Sequence, residues 1–160
     1  MKKRKWSIAA MMTAVMALML AACSSSTTNN HANSGSNGGG GDNVVNIGYS
    51  GPLSGPAAYY GERTLNGVKM AADEINKNGG FEVKGKTYKI NVVSLDDKYL
   101  PNETAANAKR LVQEHRTPII FTPHSGGVMA LQVFNQTDNF LIAAYTSEPK
   151  ITQTGNKLTI

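Results

Sequence analysis

Residues 44–56 read VVNIGYSGPLSGP: a mostly apolar, β-branched run followed by a loop rich in glycine and proline. Such a run, bounded by turn residues, is typical of a buried β-strand. Apolar residues then recur at helical spacing at Leu65, Val68, Ala72 and Ile75. Asn78-Gly79-Gly80 provides a stop signal for this second element. The segment therefore predicts a strand, a loop and a helix in that order.

The remainder of the chain continues this alternation. Apolar runs at 81–83 and 87–95 flank Lys84-Gly85-Lys86, which predicts a tight hairpin whose second arm is a core strand. Further predicted elements are a helix opened by Pro101, a strand at 119–122, a helix at 128–136, a strand at 140–144 and a short strand at 158–160. Strands separated by helical crossovers predict an α/β fold, a doubly wound layer with a parallel sheet and helices on both faces.

In such a fold, ligands bind beyond the carboxyl ends of the strands, where loops lead into helix N-termini. The loops after Ser50, Thr122 and Ala144 are therefore the candidate site. Ser125 is expected to be the N-cap of the helix after Thr122, with its hydroxyl and neighbouring N–H groups available to a carboxylate. A cap without a ligand is the alternative interpretation.

The formal charge of the 160 residues is +5, but most of it belongs to the amino terminus. Four positive charges lie within residues 2–5, and past Ala22 twelve Lys/Arg face eleven Asp/Glu, a net of +1. No basic stripe with interleaved aromatic residues remains, so nucleic-acid binding is disfavoured.

Residues 1–22 have the pattern of a lipoprotein signal peptide: a basic start and an apolar run too short for a comfortable membrane span. The run ends in Leu20-Ala21-Ala22-Cys23, which resembles the bacterial lipobox, in which the cysteine is lipidated after cleavage. The resemblance implies an anchor in the membrane through lipid on Cys23, with the protein on the extracytoplasmic face. A free cysteine after an ordinary signal peptide is the alternative. Because Cys23 is the only cysteine, an exported domain here has no internal disulfide.

Residues 23–43 are predicted to be a lipidated cysteine followed by a flexible linker rich in Ser, Asn and Gly, since the segment has no large apolar residue to bury. The predicted domain then spans 44–160. His31 lies in the linker without a second ligand near it, so no metal site is expected there.

The glycine-rich loop after the first strand matches neither nucleotide-binding fingerprint, because its spacing is not G-x-G-x-x-G and no G-K-[ST] follows. His124 and Ser125 are adjacent at a strand-to-helix turn, but the G-x-S-x-G pattern of hydrolases is absent. No third potential metal ligand follows Asp96 and Asp97 at a recognisable spacing. This favours a structural use of the two carboxylates, in capping or in pairing with a nearby Lys, over metal binding or acid–base chemistry. We expect no catalytic residues, metal or cofactor, and no enzyme.

These pieces resemble the amino-terminal lobe of type I periplasmic solute-binding proteins, in the branched-chain amino acid and amide group served by ABC importers. The most specific block is Asn46 to Pro56. The other resembling positions are Tyr60-Gly61, Asn66-Gly67, Ala71-Ala72, Ile75-Asn76, Gly79-Gly80, Asp96-Asp97 and Thr146 to Thr152. The resemblance implies the periplasmic binding protein-like I fold, with 44–160 as an incomplete first lobe.

Carried over residue by residue, the resemblance implies that Ser125 takes the ligand's carboxylate and Tyr60 lines the pocket. Backbone groups of Tyr145 and Ser147 would complete the polar contacts, and His124 is an alternative to Ser125 because the alignment can shift by one around Pro123. The family has small residues where this sequence has Tyr145, which argues against branched-chain specificity.

The implied function is extracytoplasmic binding of a small solute, an amino acid or amide, for delivery to the permease of an ABC importer. A ligand-sensing receptor ectodomain of the same fold and a nonfunctional truncated remnant are the alternatives. In the family two lobes close on the ligand, so one lobe alone is expected to bind weakly.

Overall fold

The structure is a computed structural model, and it describes residues 43–160. The predicted signal peptide at 1–22, the lipidation of Cys23 and all but the last residue of the predicted linker lie outside the described residues. Among the described residues, no helix is both long enough and apolar enough to cross a membrane.

Strands and helices alternate through most of the described region. In chain order they are β1 (Val44–Gly51), α1 (Ala58–Lys77), β2 (Phe81–Val83), β3 (Lys86–Asp96), α2 (Pro101–His115), β4 (Ile119–Thr122), α3 (Ser125–Gln132), β5 (Leu141–Ala144) and α4 (Lys150–Gln153). The predicted strands other than the one at 158–160, and the first two predicted helices, are present, with bounds that differ by a few residues. The short helix α4 was not predicted.

The five strands form one sheet in the order β2-β3-β1-β4-β5. β1 pairs in parallel with β3 and β4, and β4 pairs in parallel with β5. Only β2 runs antiparallel, because it is the first arm of the predicted hairpin. Its two-residue turn, Lys84-Gly85, has positive φ at both positions, which suits the twist of a hairpin. The parallel α/β layer predicted from the alternation is therefore confirmed.

Residues 158–160 lie beside β5 and extend the sheet by a short parallel contact, as the predicted last strand requires. The bridge joins Ile142 to Thr159, and the backbone of Ile142 both donates to Leu158 and accepts from Ile160. The contact is one bridge rather than a full strand.

Helices lie on both faces of the sheet, and the alternation of side chains along β1 shows which helix covers which face. Ile47 faces the side that carries α1, whereas the next residue, Gly48, lies against Leu111 of α2. The buried core lies on the α2 and α3 side: Ala108, Leu111, Ile120, Val128, Leu131, Phe140, Ile142 and Ile151. This core fixes the carboxyl ends of β1, β4 and β5 at one edge.

The prediction for the third helix was wrong at both ends. The helix runs from Ser125 to Gln132 rather than from 128 to 136, and its N-cap is His124 rather than Ser125. The ring Nδ1 of His124 accepts the N–H of Gly127 at 3.0 Å. The imidazole therefore makes the capping hydrogen bond that was expected from a serine hydroxyl. Gly127 makes this possible, because a Cβ there would lie 2.8 Å from the ring.

Candidate functional site

The candidate site lies at the carboxyl edge of the sheet, where β1, β4 and β5 are neighbours. Three loops leave the sheet at this edge: the one after Gly51, the one after Thr122 and the one after Ala144. They are the same loops that the strand and helix pattern singled out. The short connection after Thr122 leads directly into α3, whose first turn is the polar centre of the edge.

Tyr60, in the first turn of α1, connects two of these loops, those after Thr122 and Ala144. Its hydroxyl donates to the carbonyl oxygen of Pro123 at 2.7 Å and lies 3.4 Å from that of Tyr145. The side chain stays 41% exposed, so the ring still faces solvent at the edge. Burial raises the pKa of the Tyr60 hydroxyl, and the nearby hydroxyls of Tyr145 and Tyr99 add to this shift. The group therefore remains a neutral donor at physiological pH.

Ser125 opens α3 beside the loop after β5. Its Oγ lies 2.5 Å from Oγ1 of Thr146, and either hydroxyl can be the donor. Within the described part of the chain, no protein acceptor is found for the backbone N–H groups of Ser125 and Gly126. Free N–H groups and the positive end of the helix dipole favour an anion at this point.

The loop after β5 presents Tyr145 and Ser147 at the surface. The side chain of Tyr145 is 64% exposed, and Ser147 is exposed as well. The N–H of Tyr145 is already used, because it donates to the carbonyl oxygen of Thr122 at 3.1 Å. Tyr145 can therefore offer a ligand its carbonyl oxygen and its ring, but not its N–H.

His124 is buried, and both ring nitrogens are engaged. Because Nδ1 accepts from Gly127, the ring proton is assigned to Nε2, which lies 3.0 Å from Oδ2 of Asp97. No ring nitrogen remains for a ligand. Of the two alternatives, Ser125 and not His124 has groups available to a ligand.

Asp97 is the centre of a buried polar cluster that the sequence did not reveal. Besides His124, its Oδ2 accepts the hydroxyls of Thr104 at 2.9 Å and Ser50 at 3.1 Å. Ser50 in turn accepts from the amide of Asn107 at 3.2 Å. A buried carboxylate is tolerated only when it is well bonded. The cluster joins β1, β3, α2 and the start of α3 beneath the candidate site.

Asp96 fastens the first loop to the end of β3. Its carboxylate accepts the N–H of Leu53 at 2.8 Å, the N–H of Lys98 at 2.9 Å and the hydroxyl of Ser54. Burial alone would raise the pKa of Asp96, but these hydrogen bonds outweigh it and hold the pKa below its ordinary value. The two adjacent carboxylates are structural, as the absence of a third ligand indicated.

Tyr99 lies beside the start of α3, which the sequence analysis did not predict. The backbone of Lys98 and Tyr99 is left-handed, with φ of 52° and 65°, and the N–H of Tyr99 donates to Oδ1 of Asp97 at 2.9 Å. This turn places the Tyr99 ring on the ring of His124, with centroids 4.6 Å apart and planes 28° apart. A lone tyrosine after a strand carries no periodic signal, so only the turn geometry reveals this position.

A large cavity of the described region lies away from this polar edge. It is an apolar groove of about 890 Å³ between α1 and the sheet, with Ile47, Val68, Ile75, Phe121 and Ile160 among its lining residues. Of the predicted site residues, only Tyr60 and Tyr145 touch it, at one end. Because it offers almost no hydrogen-bonding groups, it suits the packing of apolar side chains rather than the binding of a polar solute.

Residues 43–160 contain no group of three or more His, Cys, Asp or Glu side chains arranged to hold a metal ion. The two buried acid and imidazole groups, Asp97 and His124, are engaged with each other. The polar edge therefore offers hydrogen-bond donors and aromatic rings to a ligand.

Comparison with known proteins identifies the fold. The family model described as periplasmic binding protein matches residues 44–157, nearly the whole described region. The chain belongs to this family. Periplasmic binding proteins are solute-binding proteins rather than enzymes, and the parallel sheet with helices on both faces is their periplasmic binding protein-like I architecture.

Individual relatives agree with the family. An amino acid binding protein from Pseudomonas aeruginosa is 32% identical over 114 residues, which cover 69% of this chain and 29% of the relative. The Leu/Ile/Val-binding protein of Escherichia coli strain K12 is 27% identical over 115 residues, covering 71% and 30%. A branched-chain amino acid transporter substrate-binding protein from Streptococcus pneumoniae, solved with isoleucine, has 27% identity and a TM-score of 0.64, covering 73% of this chain and 33% of that one.

The periplasmic binding protein match thus spans only part of its relatives. The chain covers about three tenths of the length of the curated relatives named above. The matched part contains the sheet and the polar edge described above.

Proposed function

We propose that this periplasmic binding protein chain provides the first lobe of a binding site for a small, amino-acid-like solute, which is delivered to the permease of an ABC importer. The observation that carries the proposal is the start of α3. There, the unbonded N–H groups of Ser125 and Gly126 lie beside the Ser125 hydroxyl and under the positive end of the helix dipole. This set of donors matches a carboxylate.

The other proposed ligand groups surround this point. The ring of Tyr60 and the carbonyl oxygen of Tyr145 lie together, since the Tyr60 hydroxyl reaches that oxygen. Ser147 follows two residues later on the same loop. The names of the relatives, which bind amino acids, support an amino-acid-like ligand.

Titration of isotope-labelled full chain with L-leucine, followed by amide NMR, tests the carboxylate position. We expect saturable shifts at Ser125 and Gly126 at millimolar ligand, because one lobe leaves half of the solute in water. Ser125→Ala should weaken binding by about 2- to 10-fold, the value of one lost hydrogen bond. Thr87→Ala, in the exposed β2–β3 hairpin, is the matched control and should bind unchanged.

Two results would contradict this assignment. Shifts confined to residues far from the start of α3 would place the ligand elsewhere. Micromolar affinity in calorimetry would show that one lobe suffices, against the two-lobed clamp on which the proposal rests.

We also propose that Cys23 anchors the chain to the outer face of the cell membrane, with 1–22 as the cleaved signal and 23–43 as the tether. The lipobox pattern of Leu20 to Cys23 supports this. Mass spectrometry of the chain purified from membranes should show a lipid-modified Cys23 as the first residue. Cys23→Ser should abolish the modification and release the chain from the membrane fraction, whereas an unmodified amino terminus in the parent chain would refute the anchor.

A further inference from the structure

The apolar groove between α1 and the sheet extends along most of the helix. The α1 residues that line it recur at helical spacing, from Tyr60 and Arg63 through Ala71 to Ile75, so they form one stripe on the helix surface. At a rise of about 1.5 Å per residue, the distance from Arg63 to Ile75 along the helix axis is about 18 Å. The groove is therefore long enough to hold an extended ligand.

The groove is open because α1 covers only part of the sheet on its side. The helix packs mainly against β3 and β1. Phe121 of β4 and Ala143 of β5 point to the same side and line the groove. Their sequence neighbours Ile120 and Ile142 point to the opposite face, where they are buried in the core. An apolar strip of the sheet therefore remains available beside α1.

A positive charge lies near one end of the groove. Arg63 is the one charged residue that lines it within residues 43–160, and its sequence neighbour Glu62 does not line it. The guanidinium of Arg63 lies 4.1 Å from the ring centroid of Tyr59, which holds the cation beside the groove. No carboxylate of the described region forms an ion pair with it. An apolar groove with a cation near one end matches a molecule that has an apolar tail and an anionic head.

We propose that the groove is a second binding site, which takes the alkyl chain of a free fatty acid with its carboxylate beside Arg63. The scarcity of hydrogen-bonding groups that disfavours a polar solute suits an alkyl chain, because each methylene that leaves water favours binding. An acyl chain spans one leaflet of a bilayer, half of the roughly 30 Å hydrocarbon core, or about 15 Å. The distance from Arg63 to Ile75 accommodates this length. This site goes beyond the function proposed above, which concerns the start of α3.

The isoleucines of the chain report binding by their position. Those that line the groove are Ile47, Ile75, Ile90 and Ile160. Those buried in the opposite core are Ile120, Ile142 and Ile151. The full 160-residue chain with labelled isoleucine methyl groups is titrated with decanoate, below the concentration at which decanoate forms micelles. We expect saturable NMR shifts of the first set of methyl groups and unchanged signals from the second.

The length of the alkyl chain tests the apolar part of the site. From octanoate to decanoate to dodecanoate, the affinity should rise by about 2- to 4-fold per methylene, the upper value being that of a fully buried one. Ala71→Glu brings a carboxylate into the groove from an exposed position of α1 and should weaken decanoate binding by about 5-fold or more. Met70→Glu is the matched control, because Met70 is 71% exposed on the same helix but does not line the groove.

The head group tests the charged end of the site. Octanoate should bind more tightly than 1-octanol and octyltrimethylammonium, which carry the same alkyl chain on a neutral and a positive head. Arg63→Gln should weaken octanoate binding by about 2- to 5-fold, as expected for an exposed ion pair, and leave 1-octanol binding unchanged. Lys69→Gln is the matched control, because Lys69 is exposed on α1 outside the groove and should change neither.

Three results would overturn this inference. Equal shifts of the core isoleucines, or an affinity that does not rise with chain length, would show that no alkyl chain lies in the groove. Octanoate binding that is no tighter than that of 1-octanol, or that Arg63→Gln leaves unchanged, would show that Arg63 does not bind the head. Shifts of the groove isoleucines that follow the protein concentration and not the added decanoate would show that a second copy of the chain fills the groove. The response of Ser125 and Gly126 to L-leucine tests the function proposed above independently of all three.

Discussion

Nε2 of His124 lies 3.0 Å from Oδ2 of Asp97, and both side chains are buried. The opposite ring nitrogen caps α3 through the N–H of Gly127. One imidazole thus joins the end of β3 to the helix start where the carboxylate is proposed to bind. The pair fixes the geometry of the helix start, and both ring nitrogens of His124 are engaged within the protein.

The two roles of His124 can be separated by substitution. His124→Asn keeps an acceptor near the position of Nδ1 but loses the donor to Asp97, which should cost about 1.5–3 kcal/mol, the value of a hydrogen bond to a charged group. His124→Ala loses both, which should cost about 2–5 kcal/mol. Urea denaturation measures both values. Equal stability of the two variants would show that the bond to Gly127 contributes nothing.

Two glycines of α1 should respond in opposite directions to alanine. A Cβ at Gly61 would lie 1.8 Å from the carbonyl oxygen of Pro52, whereas a Cβ at Gly67 would meet nothing within 4 Å. Gly61→Ala should therefore destabilise the fold by about 1–3 kcal/mol through overpacking of the first loop. Gly67→Ala should stabilise it by about 0.5–1 kcal/mol through helix propensity. Thermal denaturation monitored by circular dichroism distinguishes the two, and a neutral Gly61→Ala would contradict the close contact.

Asp96 should make the stability of the fold sensitive to acid. Its folded pKa lies below the unfolded value, so its contribution is fully present above the unfolded pKa and is lost as the pH falls through the folded one. Asp96→Asn should therefore be less stable than the parent at pH 7, and the difference should shrink below about pH 4. Urea denaturation across this range measures the difference. A constant difference at every pH would mean that the charge of Asp96 plays no part.

The apolar groove between α1 and the sheet should make residues 43–160 self-associate in the absence of detergent. Ile75 and Ile160 line it and are 36% and 71% exposed. We expect the double variant Ile75→Lys and Ile160→Lys to sediment as a monomer at concentrations where the parent associates. Val133→Lys is the control, because Val133 is 83% exposed but does not line the groove. If the control reduces association equally, the groove is not the contact surface.

Much of the fold followed from the sequence, because its signals were local and periodic. The run from Val44 and the helical repeat from Leu65 indicated β1 and α1, and the hairpin turn at Lys84-Gly85 was readable from composition. The start of α3 was misplaced, because a buried histidine is not a usual N-cap and its role depends on Asp97, which lies 27 positions away in the sequence. A hydrogen bond between two residues so far apart in the sequence leaves no local pattern that could be recognised.

For the candidate site, as for the fold, features with local signals could be predicted and features that depend on long-range contacts could not. The three loops at the carboxyl edge could be predicted from strand order, and the family resemblance suggested Tyr60, Ser125, Tyr145 and Ser147. Tyr99 could not be found, because its position depends on a left-handed turn held by the Asp97 carboxylate. Nothing in the composition around Lys98 signals that turn.

The polar cluster centred on Asp97 is buried, whereas the rings of Tyr60, Tyr99 and Tyr145 are exposed. The buried contacts of Asp97 are therefore separate from the exposed groups that are proposed to meet the solute. We expect substitutions at Tyr99 or Tyr145, whose rings are exposed, to leave the underlying framework unaltered. A library randomised at these two positions should yield many stable proteins with new ligand preferences, which makes this edge a practical starting point for building sensors.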